Sequence, residues 1–433
     1  MDVRPRYDIN HVLAYGQSLS SGWEGVPALS VQPSADCLML GNAVRPLHEH
    51  AAIWQPVGDA VFQPLAARAQ DIGSGRVLAD EEALIGEAGG LPLGETVLEA
   101  AVTLWRRRMR NVLGDSVDGW QIAASSCGVG GRSIEQLSCG AAPELFNRLR
   151  DCVDVARQAA TAAGKTYGVA ALLFMQGEAN SWGIGTADRA EYKALLRNLY
   201  RDFRLQIAGD TEARARTPMF ICQTGGHYAT DDNAIAQAQL ELAQEEPGCF
   251  LVGPVYPVPT RASGHLHADG YRWLGAQFGM VMQRVLTRGR GWRALQPLAA
   301  VQDGARLRVR FHVPAPPLAW GEPFVGVVRR GIADRGFTVR DDAGIVGISA
   351  VELDGADGVA IVLDRSPGAD ARLLYADRRH GGRGGLHDSD AGLALDRFAG
   401  AGLPDGENAD LIGQRYALRN WCVAFNIAIS LAE

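Results

Sequence analysis

Through the first two thirds of the chain, apolar runs bounded by glycine alternate with stretches whose apolar residues recur at helical spacing. This rhythm constrains the fold more than any other feature. A wholly apolar run of strand length must be buried on both faces, and the intervening helices are what cover it. The pattern predicts five parallel strands over residues 11–16, 120–125, 169–175, 219–224 and 250–255. Helices are expected over 96–112, 144–163, 234–244 and 271–286, with another carrying Tyr192, Leu195, Leu196, Leu199 and Phe203 on one face. Such a chain folds as α/β, a flavodoxin-like doubly wound parallel five-stranded sheet in an α/β/α sandwich, which takes its ligands at the C-terminal strand ends.

Two segments break the rhythm. Residues 22–94 are rich in Gly, Pro and His without sustained periodicity, and read as a long loop inserted over the site. Beyond about residue 297 the texture changes to short alternating runs, at 305–312, 323–329, 345–353 and 358–363, separated by Gly, Asp and Pro. The expected organisation is therefore a catalytic α/β/α unit over 1–293 and a β-sandwich-like accessory unit over 297–433. No internal repeat is visible.

Composition excludes several function classes. With 47% hydrophobic and 21% charged residues the chain is globular. A net charge of −7 provides no broad attraction for nucleic acid or anionic membrane surfaces. Lys165 and Lys193 are the only lysines among 42 basic residues, a bias expected of a GC-rich coding sequence rather than of a binding need. No apolar run has the length of a signal peptide or a membrane span, so a cytoplasmic chain is the expectation. The seven cysteines are scattered in apolar contexts with neither C-x-x-C spacing nor an H-E-x-x-H partner, which reads as buried free thiols and no metal. The sequence is silent on oligomeric state.

The polar residues that emerge at strand ends carry the chemistry. The first strand runs into Gly16-Gln17-Ser18-Leu19, making Ser18 the nucleophile candidate, although a serine there is more often a helix cap. The second ends in Cys127-Gly128-Val129-Gly130-Gly131-Arg132-Ser133-Ile134, where glycines let backbone N–H groups approach a ligand oxygen. No phosphate-binding lysine motif accompanies it. The third ends in Gln176-Gly177-Glu178-Ala179-Asn180, and the fifth is followed by Gly264-His265-Leu266-His267-Ala268-Asp269-Gly270-Tyr271-Arg272. His265 lies in the loop proper, whereas His267 or Asp269 is placed to cap or charge the following helix.

These four motifs, in this order, resemble the SGNH (GDSL-like) hydrolases, and in particular their carbohydrate acetylesterase branch, which includes sialate O-acetylesterases and acetylxylan-esterase-like enzymes. The resemblance spans about residues 8–287. It implies Ser18 as nucleophile and His265 as general base. It also implies an oxyanion hole from the Ser18 N–H, Gly130 or Gly131, and the Gln176 side chain. The family's usual aspartate three residues before the histidine is Ala262 here. The acid is therefore expected to be Glu178, with Asp269 as second choice, unless the site works as a Ser–His dyad.

The implied reaction needs no cofactor. Ser18 attacks an acetyl ester, His265 moves the proton, and an acetyl-enzyme is hydrolysed. The expected partner is an acetylated carbohydrate. Trp23, Trp182 and Asn180 are the candidate substrate contacts, and Trp54 and Trp273 lie in or beside the same loops; the bland alternative for such indoles is core filling. The β-rich tail, with Trp320, Tyr375 and Trp421, reads as a carbohydrate-binding module or a support for the site. Transfer of acetyl to another sugar by the same serine, and a non-catalytic carbohydrate binder on a hydrolase scaffold, are the rival readings.

Overall fold

The computed structural model describes residues 6–79, 82, 92–209, 212–213, 217–403, 406 and 408–432. Its first part is a seven-stranded sheet. The five expected strands are β1 (Ile9–Gly16), β4 (Gln121–Ser126), β5 (Tyr167–Met175), β6 (Met219–Gln223) and β7 (Cys249–Pro254). Two more, β2 (Ser34–Leu40) and β3 (Phe62–Leu65), come from the segment expected to be loop, part of which lies outside the described residues. The order is β3-β2-β4-β1-β5-β6-β7, parallel except for β3 at the edge. The proline in β3, Pro64, is tolerable because that strand has a free side.

The chain leaves β1 for β2, returns through β4 at one edge of β1, then crosses to β5 at the other. Winding reverses at β1, so the crevice above its C-terminal end is where this topology holds ligands. Both faces of the sheet are covered: Leu13 and Tyr15 of β1 join one apolar cluster, Val12 and Ala14 the other. Full burial of a leucine or valine such as Leu13 or Val12 contributes roughly 1.5–3 kcal/mol. The covering helices are α2 (Val97–Leu113), α4 (Asn147–Ala162), α6 (Arg189–Gln206), α7 (Ala234–Glu245) and α8 (Ala268–Met282), with one-turn helices α1 (Ser18–Ser21), α3 (Ile134–Leu137) and α5 (Glu178–Ser181) at strand ends. Thr96 and Glu99 start α2 with a capping box. Helix α8 rides closely on α2 because Gly275 and Gly279 present no side chain; a Cβ on either would stand 2.4 and 2.6 Å from the carbonyl oxygens of Val97 and Ala101.

From Gln296 onward the chain is all β. A five-stranded sheet containing Gln296–Asp303, Arg306–His312 and Gly358–Leu363 faces a four-stranded sheet containing Phe337–Asp341, Arg372–Tyr375 and Phe425–Ala428. Their inner faces meet at Phe311 and Phe425, with ring centroids 6.3 Å apart. This β-rich part is bonded deeply into the α/β layer. Gln223 of β6 exchanges two hydrogen bonds with the backbone of Ala424, Tyr256 Oη donates to Cys422 O at 2.7 Å, and Trp273 Nε1 donates to Ala417 O at 2.8 Å. Among the described residues no helix is long and apolar enough to cross a membrane, and all seven cysteines are free.

Candidate active site

Strand β1 ends at Gly16, whose φ of 138° suits glycine and where a Cβ would lie 1.9 Å from Met175 O of β5. The close approach lets the backbone turn at once into α1, so Ser18 becomes the first residue of a helix directly above the sheet. Ser18 Oγ is 2.8 Å from His265 Nε2. His265 Nδ1 is in turn 2.8 Å from Glu24 Oε1. The second oxygen of Glu24 accepts from Ser263 Oγ at 2.7 Å. A hydroxyl, an imidazole and a carboxylate therefore stand in one hydrogen-bonded series.

The carboxylate on His265 belongs to Glu24, which corrects the expectation for Glu178. Glu24 follows α1 at a φ of 60°, a left-handed conformation disfavoured for a residue with a Cβ. Arg261 holds it there by donating Nε to Glu24 O and Nη2 to Val26 O. Burial raises the Glu24 carboxyl, but the hydrogen bonds from His265 and Ser263 outweigh it and hold the group below its ordinary value, so it is ionised at neutral pH.

Glu178 heads α5, buried, with its Oε2 lacking any hydrogen-bond partner and no bond to His265 among the described residues. Burial pushes its carboxyl up, which favours the neutral acid. Asp269 faces away from the site altogether. It accepts from the N–H groups of Ala399 and Gly400, both at 2.8 Å, and from Tyr416 Oη at 2.5 Å, fastening the β-rich part to α8. His267 occupies the position before α8, yet its side chain caps nothing and its Nδ1 is buried without a partner. Burial, then the neighbouring Arg261 charge, push this histidine down to about 4.

The expected oxyanion donors are placed unequally. Gly130 packs against the Trp23 indole and its N–H donates to Glu49 Oε1 at 3.1 Å. Gln176 Nε2 donates to Asn180 Oδ1 at 2.7 Å and to Arg132 O at 3.2 Å, while its carbonyl accepts from Tyr192 Oη. Gly131, at a φ of 69°, borders open space. The Ser18 N–H heads a helix and so lacks an intrahelical acceptor.

Of the expected substrate contacts, Trp23 stacks on His265, with ring centroids 5.8 Å apart and planes 26° apart, and donates Nε1 to Glu49 Oε1. Trp182 is 66% exposed and meets Tyr228 edge-on. Asn180 is a correction. It is wholly buried, accepting from Ile134 N–H and Gln176 and donating to Thr186 O and Glu135, so it braces the two strand-end turns and presents nothing to a ligand. Trp54 is likewise buried, with Nε1 on Ser126 O.

Sequence reasoning missed Glu24, Glu49 and Ser263. Glu24 and Glu49 lie in the aperiodic segment, where the only signal for Glu24 is an acid following the serine turn. Among the described residues, no group of three or more His, Cys, Asp or Glu side chains is arranged to hold a metal ion.

No protein-family model and no curated protein matches the chain. Among solved structures, it is similar to a carbohydrate acetylesterase from Xanthomonas citri, with a TM-score of 0.57 at 14% identity, over 96% of this chain and 80% of that one. A protein from Arabidopsis thaliana matches at a TM-score of 0.42 and 17% identity, over 64% of this chain and 97% of that one. A carbohydrate acetylesterase family member from Sinorhizobium meliloti matches at 0.31 and 16%, over 64% of this chain and 99% of that one. At these identities the likeness to the first establishes a shared fold.

Proposed function

We propose that the protein is a serine esterase that removes O-acetyl groups from a carbohydrate through an acetyl-enzyme. The observation that carries this reading is the series Ser18–His265–Glu24, joined by two 2.8 Å hydrogen bonds at the end of the strand where the sheet reverses. A serine hydroxyl is a weak nucleophile at neutral pH. An imidazole within hydrogen-bond reach, oriented by an ionised carboxylate, is what activates it.

In this mechanism His265 Nε2 takes the Ser18 proton as Oγ bonds to the acetyl carbon. The imidazolium that forms is stabilised by Glu24, to which Nδ1–H donates. The charge on the carbonyl oxygen falls to the Ser18 N–H, which has no intrahelical acceptor, and to a glycine N–H of the Gly130-Gly131 turn. Collapse breaks the bond to the sugar oxygen, which leaves with the proton from His265. Water, deprotonated by the same nitrogen, then releases acetate and restores Ser18.

The substrate class is supported by the shared fold with the Xanthomonas citri carbohydrate acetylesterase, the resemblance of the four motifs, and exposed Trp182 at the rim. The intact series favours catalysis over a purely binding role. Acetate release from a panel of acetylated oligo- and polysaccharides tests the proposal, with and without an added acceptor sugar to separate hydrolysis from transfer. The expected result is free acetate, lost by at least ~10³-fold in Ser18→Ala. Full turnover by that variant would overturn it.

A further inference from the structure

Beside the Ser18–His265–Glu24 series lies a groove of about 530 Å³, a size suited to a sugar unit. One wall is Trp182 with His227 and Tyr228; the opposite wall comes from the β-rich part, through Arg378 and Arg383. Tyr228 links its own wall to the histidine loop of the candidate active site. Its hydroxyl donates to Ser263 O at 2.8 Å, and its ring lies against Gly264, the residue before His265. The two walls are bonded to each other: Gly226 N–H donates to Gly382 O at 3.2 Å, and Arg378 N–H to Thr230 O at 3.1 Å.

Among the described residues, no acidic side chain lines this groove. Arg378 is exposed, donates Nε to Ala229 O, and has Asp231 3.7 Å away as a partial counter-charge. Arg383 is different. It is 8% exposed, and its Nε and Nη1 donate to the carbonyl oxygens of Phe324 and Gly381, which supply dipoles but no compensating charge. Among the described residues it has no ion pair and no aromatic ring stacked on it. Burial, with no acid to offset it, lowers the guanidinium from its ordinary value. A buried cation without a counter-ion is costly, and the cost falls when an anion enters the cavity it lines.

We infer that this groove is a subsite for a sugar carboxylate, with Arg383 as the charge that receives it and Trp182 as the face on which the ring lies. The preferred substrate is thus an acetylated carbohydrate containing acidic residues. This rests on the esterase reading and deepens it. It also gives the β-rich part a role in specificity, because the cation belongs to that part and the acetyl-transferring groups do not.

The test compares kcat/KM on O-acetylated oligogalacturonide with that on the same material after methyl esterification of its carboxyls, each divided by the rate on 4-nitrophenyl acetate. A charge-assisted hydrogen bond predicts a preference of about 10- to 100-fold for the free acid. The preference is expected to collapse towards parity in Arg383→Gln and to be partly kept in Arg383→Lys, whereas a merely structural arginine would shift Tm and leave the ratio alone. Equal rates on acid and ester in the wild-type chain, or an undiminished ratio in a folded Arg383→Gln, overturn the inference. The same comparison with an O-acetylated nonulosonic acid and its methyl ester separates the two acidic sugar classes, and preference for either acid sustains it. Should no carbohydrate be deacetylated, the esterase reading fails on its own. Calorimetric titration of the wild-type chain with unacetylated oligogalacturonide then decides the subsite: saturable binding abolished by methyl esterification sustains it, and no binding ends it.

Discussion

Glu24 and His265 are 241 positions apart in sequence, yet Oε1 of one lies 2.8 Å from Nδ1 of the other. The glutamate reaches the ring from the loop that follows Ser18, at the ring nitrogen away from Ser18. It makes the contact that the resemblance would assign to an aspartate at position 262, which is Ala262 here. The Glu24–His265 bond also ties the serine loop to the histidine loop, so the distance from Ser18 Oγ to His265 Nε2 depends on how those loops pack.

Glu24→Gln is expected to lower kcat on 4-nitrophenyl acetate by about 10³- to 10⁴-fold, the scale of loss when the acid of such a series is neutralised. Glu178→Gln should cost far less, since Glu178 makes no bond to His265. Measuring both variants side by side checks the assignment. A severe loss in Glu178→Gln with a mild one in Glu24→Gln would reverse it.

Asp269→Ala is expected to destabilise the chain by at least about 2 kcal/mol, because two N–H groups and the Tyr416 hydroxyl lose their acceptor in a buried interface. The readout is the denaturation midpoint. Where the variant is folded, its turnover of 4-nitrophenyl acetate should stay within a few-fold of wild type.

Stability should fall on acidification through the histidine range. Burial pushes His11 down to about 3 and His267 to about 4, while both return to near 6.5 on unfolding. Between about pH 6.5 and 4 the unfolded chain therefore binds protons that the folded chain refuses. Each such group lowers stability as pH drops, by about 1.4 kcal/mol per pH unit. Replacing His267 by Gln should flatten the slope of unfolding free energy against pH in that window; an unaltered slope would show that this histidine is not held neutral.

A chain ended after Arg290 is expected to lose activity on aryl acetate as completely as on polysaccharide. Removing the β-rich part takes from Gln223, Tyr256 and Trp273 the backbone groups they bond in that part, and uncovers apolar surface on the helical layer. Aggregation and circular dichroism of the shortened chain provide the check. Retention of aryl esterase activity would show that the two parts are separable.

Much of this architecture was legible in the residues. The five runs predicted as strands are β1, β4, β5, β6 and β7, because a run apolar on both faces has few alternatives to the centre of a covered sheet. The helix carrying Tyr192, Leu196, Leu199 and Phe203 buries those side chains, as a 3.6-residue period requires. Strands β2 and β3 were not legible. Both lie at one side of the sheet, β3 has only four residues, and the Ser34-Ala35-Asp36 start of β2 and Pro64 in β3 carry no strand pattern. Their place is decided by pairing with β4 and with each other.

The division follows from the range over which each interaction acts. Periodicity, glycine at tight turns and the placement of polar residues at strand ends are local, so the sequence by itself determined the layered sheet, the serine turn at Ser18 and the histidine loop at His265. Which carboxylate meets that histidine, which glycine N–H is occupied by Glu49, and which arginine faces the groove depend on contacts between segments hundreds of residues apart. A side chain's charge can be read from the sequence, but its partner is set by packing, and only the tertiary structure decided that Glu24 meets His265 while Arg383, among the described residues, meets carbonyl oxygens and no carboxylate.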